Sequence, residues 1–166
     1  MKHMLINQLK YFGILFFMLF ALPAFGQSIQ QEKMQELSFL IGNWEGVSKS
    51  YKQGVVEKQV PAFTQISYKL DQSIITLDLQ SESLQLHTVF YFDEKTNSYS
   101  YNPFYKTGSG SYKAEFIEGK LIVSPSETKR FIFTSSPEGD FIEYGENLVD
   151  GVWVKYFEDV FNRVEE

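Results

Sequence analysis

LSFLIGNWEG, residues 37 to 46, is where the periodicity of the chain changes, and that change decides the fold. Before it, Met34, Leu37 and Ile41 recur at helical spacing, so the stretch from Ser28 to Phe39 reads as a short helix. After it, apolar and polar residues alternate with period two almost to the C-terminus. Gly42 lets the backbone turn in tightly, and Trp44 drops one large ring into the closed end of what the strands enclose.

Working outward, strands are predicted at 43 to 51, 60 to 70, 73 to 79, 84 to 92, 98 to 105, 111 to 117, 120 to 124, 129 to 134, 140 to 148 and 152 to 163. Short turns such as Asp71-Gln72, Glu118-Gly119 and Asp150-Gly151 join them, with longer loops at 80 to 83, 94 to 97, 107 to 110 and 136 to 139. Loop length fixes which residues oppose each other. It pairs Ile66 with Leu77, Leu77 with Leu86, Phe90 with Tyr101, Tyr101 with Phe116, Phe116 with Leu121, Phe131 with Tyr144 and Tyr144 with Phe157. One face thereby collects the large apolar side chains, and the other collects Ser67, Asp78, Gln85, Asn102, Lys113 and Glu115. The expected class is all-β: a ten-stranded antiparallel up-and-down barrel with a short N-terminal helix plugging one end. Closure removes the unpaired edges that an open sandwich of the same strands would keep.

Residues 1 to 26 read as a cleavable signal peptide: Lys2, His3 and Lys10 form a basic head, 11 to 25 an apolar core, and Ala24-Phe25-Gly26 a small-x-small cleavage site. The apolar run is shorter than the ~20 residues a spanning helix needs, and Pro23 interrupts it. Residues 27 to 166 then form a single barrel domain, exported to the periplasm or beyond the cell. The leader carries two lysines and no acid, so the net charge of −6 becomes −8 in the remainder, which disfavours nucleic acid and anionic lipid as partners. With no cysteine, disulfides, thiol catalysis and thiolate metal sites are excluded, and stability must come from an aromatic-rich core.

The Leu37 to Gly46 run, the length and the strand count resemble the calycin superfamily, and within it the bacterial DUF1579 proteins and the nitrobindin-like haem barrels. In lipocalin-like barrels an arginine of the last strand packs across the first-strand tryptophan. The resemblance implies that pairing for Arg163 and Trp44, a cation–π contact closing the barrel floor. The nitrobindin-like relatives hold haem through an axial histidine near the C-terminal strands. Here His87, on the fourth strand with the outward parity of Gln85 and Tyr91, is the one histidine after the leader, so haem is not expected.

The registers also bring chemistry together. Lys129 falls opposite Glu146, and Glu146 opposite Lys155, on the face of Phe131, Tyr144 and Phe157. If that face lines a cavity, the trio has one positive charge in excess and suits an anionic group. The bland reading is an exposed salt ladder whose facing a bulge has inverted. Tyr68, Tyr99, Tyr101, Tyr105, Tyr112 and Tyr144 share the inward parity and offer an apolar wall with directional hydroxyls, while Ser48 and Ser50 leave room beside it. Glu143, expected opposite Glu158, has outward parity and reads as solvated. No Ser-His-Asp set, nucleophile elbow, dinucleotide loop or metal-ligand spacing appears.

These readings favour a carrier of a small, mostly apolar and possibly anionic ligand, with no cofactor. A barrel enzyme of isomerase or hydrolase type using Glu146 or an interior tyrosine is the alternative. A third is an envelope protein-interaction module using Tyr91, Phe104 and their outer-face neighbours.

Overall fold

The computed structural model describes residues 28 to 165, so the signal-peptide segment lies outside the described residues. The chain opens with α1 (Ile29–Glu36), whose N-terminus is closed by a capping box: Ser28 accepts from the Gln31 backbone and Gln31 reaches back to Ser28. A single 3-10 turn (Ser38–Leu40) follows. Met34, Leu37 and Leu40 are fully buried beneath this segment and stopper one end of the barrel. Among the described residues no helix is long and apolar enough to cross a membrane.

The strands are β1 (Gly42–Lys52), β2 (Val55–Lys69), β3 (Ile74–Ser81), β4 (Gln85–Asp93), β5 (Ser98–Tyr105), β6 (Gly108–Ser109), β7 (Tyr112–Ile117), β8 (Lys120–Ser126), β9 (Lys129–Ser135), β10 (Phe141–Val149) and β11 (Val152–Arg163). Neighbours pair antiparallel around the ring, and closure comes from β4 on β5 and β1 on β11. Ten strands build the wall, and the two-residue β6 only extends the β5 hairpin. This is the closed ten-stranded antiparallel barrel the alternation calls for. β2 begins earlier than expected because the turn at Gln53-Gly54, both at positive φ, continues the β1 hairpin.

Four registers differ from those expected, and parity decides which differences matter. Leu79, not Leu77, opposes Leu86, and Tyr112, not Phe116, opposes Tyr101. These are even shifts, so the same side chains still point inward. The β9–β10 connection is different: Ser136 accepts backbone N–H groups of Glu138 and Asp140, drawing Asp140 into a five-residue loop. That single added residue puts Phe131 opposite Gly145 and Tyr144 opposite Ile132, reversing the facing expected for all of β10. A bulge at Tyr156 then shifts β11 between Gly145–Phe157 and Glu146–Lys155. Gly145 is required there because a Cβ would run into the Phe157 and Tyr156 rings.

The lower half of the barrel is filled by aromatic rings. Trp44 lies 5.7 Å from Phe141, Phe141 5.5 Å from Phe161, and Phe133 5.5 Å from Phe90 and 5.7 Å from Tyr101, centre to centre. Each buried ring contributes roughly 1.5–3 kcal/mol of transfer free energy. At the floor, Trp44 donates to the Leu40 carbonyl (2.9 Å) and the Arg163 guanidinium stacks on its ring at 4.3 Å. Gly42 is the one residue that fits beside this pair, since a Cβ would come within 2.5 Å of the Arg163 guanidinium. Trp44→Ala should therefore cost about 3–5 kcal/mol. Arg163→Met should cost less, and the double variant should fall short of the sum by about 0.5–1 kcal/mol, as a denaturant double-mutant cycle reads it.

Candidate functional site

Filling stops halfway. α1 docks where β2 ends and β3 begins, through Gln31 to the Asp71 carbonyl and Gln30 to the Ser73 carbonyl. At the opposite end, a cavity of about 300 Å³ enters the barrel between Ser48 and Ser50 of β1, Leu79 and Leu86, Tyr101 and Tyr105, and Lys129, Phe131, Glu143, Tyr156, Phe157 and Asp159. Small serines on one wall face rings on the other. That asymmetry, readable in β1, is what leaves the room.

The polar end of the cavity is a pair of carboxyls. Glu143 and Asp159 oppose each other directly across β10 and β11, and they are only 6% and 5% exposed. Directly opposed residues hold their Cβ atoms about 4.5–5.5 Å apart. Among the described residues no lysine or arginine forms an ion pair with either carboxyl, and Asp159 Oδ1 has no hydrogen-bond partner. Burial pushes Glu143 well above the usual carboxylate range, and the neighbouring Asp159 charge pushes it further. Burial likewise raises Asp159, to about 6, with the Ser48 hydroxyl opposing the rise and Glu158 adding to it. The two opposed acids therefore hold their protons more tightly than free carboxyls do, and they titrate as a coupled pair. Desolvation also raises Tyr101, Tyr105 and Tyr156, so their hydroxyls remain neutral.

The structure divides the residues singled out from the sequence into three groups. Tyr101, Tyr105 and Lys129 line the cavity. Lys129 Nζ lies 5.4 Å from the centre of the Phe131 ring and 5.1 Å from that of Tyr156. Tyr68 and Tyr99 face inward at the stoppered end instead, where Tyr99 donates to the Glu36 carboxylate (2.7 Å) and the Lys33 carbonyl (2.9 Å). Tyr112 stacks behind Tyr101 at 6.4 Å and does not reach the cavity.

Tyr144, Glu146 and Lys155 are corrected to the outer face. Glu146 pairs with Arg130 at 2.6 Å, and Arg130 stacks on Trp153 at 4.2 Å. Lys155 pairs with Glu158 and lies 4.6 Å over the Tyr144 ring. This is the salt ladder with bulge-inverted facing, produced by the extra loop residue before β10 and the bulge in β11. Glu143 is corrected the other way, from solvent to interior. Asp159 and Tyr156 were missed, although Asp159 shares the parity of Phe157 and Phe161 and was legible on that ground.

A larger space, about 680 Å³, is a shallow groove on the outer face between Phe63, Gln65, Asp78, His87 and Phe104. His87 Nδ1 sits 2.6 Å from Asp78 Oδ1 there, outside the barrel and away from the last two strands. Among the described residues no cluster of His, Asp and Glu has the makings of a metal site.

No protein-family model matches the chain, and no curated protein matches it. Among solved structures it is similar to a zebrafish ileal bile acid-binding protein complexed with cholic acid, at 13% identity and a TM-score of 0.41, covering 76% of this chain and 99% of that one. It is also similar to a DUF3598 protein of unknown function from Nostoc punctiforme, at 8% identity and a TM-score of 0.28, covering 83% and 100%.

The carboxyl pair has a consequence for the empty protein. Folded acids with raised pKa values bind protons more tightly than the unfolded chain, so the stability they allow is greatest at low pH and is lost as pH rises through the folded value. For Asp159 that window runs from 3.8 to about 6. Glu36 and Glu158, held down by Lys33 and Lys155, act in the opposite sense and only below their ordinary range. The unfolding free energy should therefore fall by roughly 2–3 kcal/mol as pH rises from about 4 to about 6, and Asp159→Asn should flatten that fall and exceed the parent at pH 8.

Proposed function

We propose that this chain is an exported carrier that holds a small, mostly apolar molecule in the open half of a calycin-like barrel of the DUF1579 kind. The observation that carries the reading is the cavity of about 300 Å³, bounded by Tyr101, Tyr105, Phe131 and Phe157 and ending in two buried carboxyls that form no ion pair with a lysine or arginine among the described residues. Small-molecule sites are typically concave, largely apolar and fixed by a few polar groups, and 300 Å³ stands at the lower end of their range. A guest of roughly one or two rings suits that volume. The acidic end favours a guest that donates hydrogen bonds or carries positive charge over the anionic guest expected from Lys129, Glu146 and Lys155.

The export half of the reading is supported by the basic head, apolar core and small-x-small site of residues 1 to 26. In a Gram-negative host the mature protein should begin at Gln27, which N-terminal sequencing of the envelope fraction reads directly. An uncleaved chain in the cytosol would remove this half.

Binding is tested by exposing the purified protein to a bacterial extract and recording its native mass spectrum. A reproducible small adduct is expected. It should disappear in Ser50→Phe, which places a ring in the mouth where Ser50 now leaves space. Protein that stays empty through repeated exposures would overturn the reading.

A further inference from the structure

We propose that the guest is an organic cation, a small alkyl- or arylammonium whose positive head sits between Glu143 and Asp159 and whose body lies against Tyr101, Tyr105 and Phe131. The inference deepens the carrier reading and rests on it. Its first support is the unfinished electrostatics of the cavity. Removing a carboxylate from water costs several kcal/mol unless a cation or donors replace the lost hydration. Here two buried carboxyls oppose each other with no protein cation paired to either among the described residues, and Asp159 Oδ1 has no partner at all.

The second support comes from the walls. A ring face attracts a cation most strongly where water is excluded. Two rings of this cavity already receive an ammonium from within the protein, since Lys129 Nζ lies over both Phe131 and Tyr156. A free guest cation would meet the same chemistry deeper in, with counter-charge that Lys129 lacks. A neutral guest with a hydroxyl could donate to Asp159 but would leave the pair's charge uncompensated. An anionic guest would be repelled by it.

The same arrangement couples capture to protons. The groups facing the pair are Tyr101 and Tyr105 from β5, Tyr156 from β11 and Lys129 from β9, with Lys49 and Glu158 at the β1–β11 rim. The lining residues of β3 and β4, including Leu79 and Leu86, carry no charge. Desolvation keeps these tyrosines neutral, so the carboxyls govern the response. An ammonium between them stabilises their ionised form, binding releases a proton, and affinity rises with pH across their titration.

The test is isothermal titration of the full chain at pH 5 and pH 8 with phenyltrimethylammonium, whose charge does not change with pH. Its neutral isostere tert-butylbenzene and the anion benzenesulfonate are titrated alongside. At pH 8 the cation should bind at least about tenfold more tightly than the neutral probe, the effect of roughly 1.4 kcal/mol. That advantage should largely vanish at pH 5, and benzenesulfonate should not bind. The double variant Glu143→Gln/Asp159→Asn, which removes both carboxyls, should erase the cation's advantage and its pH dependence while keeping the affinity for tert-butylbenzene, which also reports an intact cavity. Equal or tighter binding of the neutral probe or of the sulfonate would overturn the cation inference and leave the carrier reading standing. Failure of all three probes to bind would overturn both.

Discussion

Everything in this molecule depends on the strict alternation of side chains across a sheet that has no free edge. In a closed barrel each residue is committed either to the interior or to the outer surface, and an even slip in pairing changes a side chain's neighbours without changing its side. An odd slip exchanges the two populations. Two even slips, around Leu86 and around Tyr101, leave the core as composed. Two odd changes, the added residue at Ser136 to Asp140 and the bulge at Tyr156, decide which charges are inside.

That distinction explains what could be read in advance and what could not. The ring of ten strands, the short N-terminal helix and the interior places of Phe90 and Tyr101 follow from periodicity, the pairing of Trp44 with Arg163 follows from the family resemblance, and the structure has them all. The polar end of the cavity was assigned the wrong acids. Glu146 took the place of Glu143 because the length of the 136 to 139 loop was judged from its turn residues. The hydroxyl of Ser136, which gathers two amides and lengthens the loop by one, has no signature in hydrophobic pattern. Asp159 needed no loop length, only the observation that it lies between two inward phenylalanines.

The two ends of the barrel are built from opposite physics. At the stoppered end the rings touch one another, Trp44 gives its one donor to the Leu40 carbonyl, and Tyr99 finds two acceptors on or beside α1. At the open end the rings wall a cavity instead of filling it, the serines of β1 are small, and Asp159 Oδ1 lacks a hydrogen-bond partner. A protein rarely leaves acids buried and uncompensated without using them. The outer ladder of Arg130, Glu146, Lys155 and Glu158 contrasts with that end: partly buried charges that pair with each other on the outer face of the wall.

Rigidity concentrated at one pole releases the other from duty. The segments rimming the opening, 82 to 84, 106 to 107 and 127 to 128, contribute none of the largest fully buried side chains. They are bystanders to folding. Descendants of this chain could therefore re-letter that rim repeatedly while the tryptophan floor kept the barrel closed.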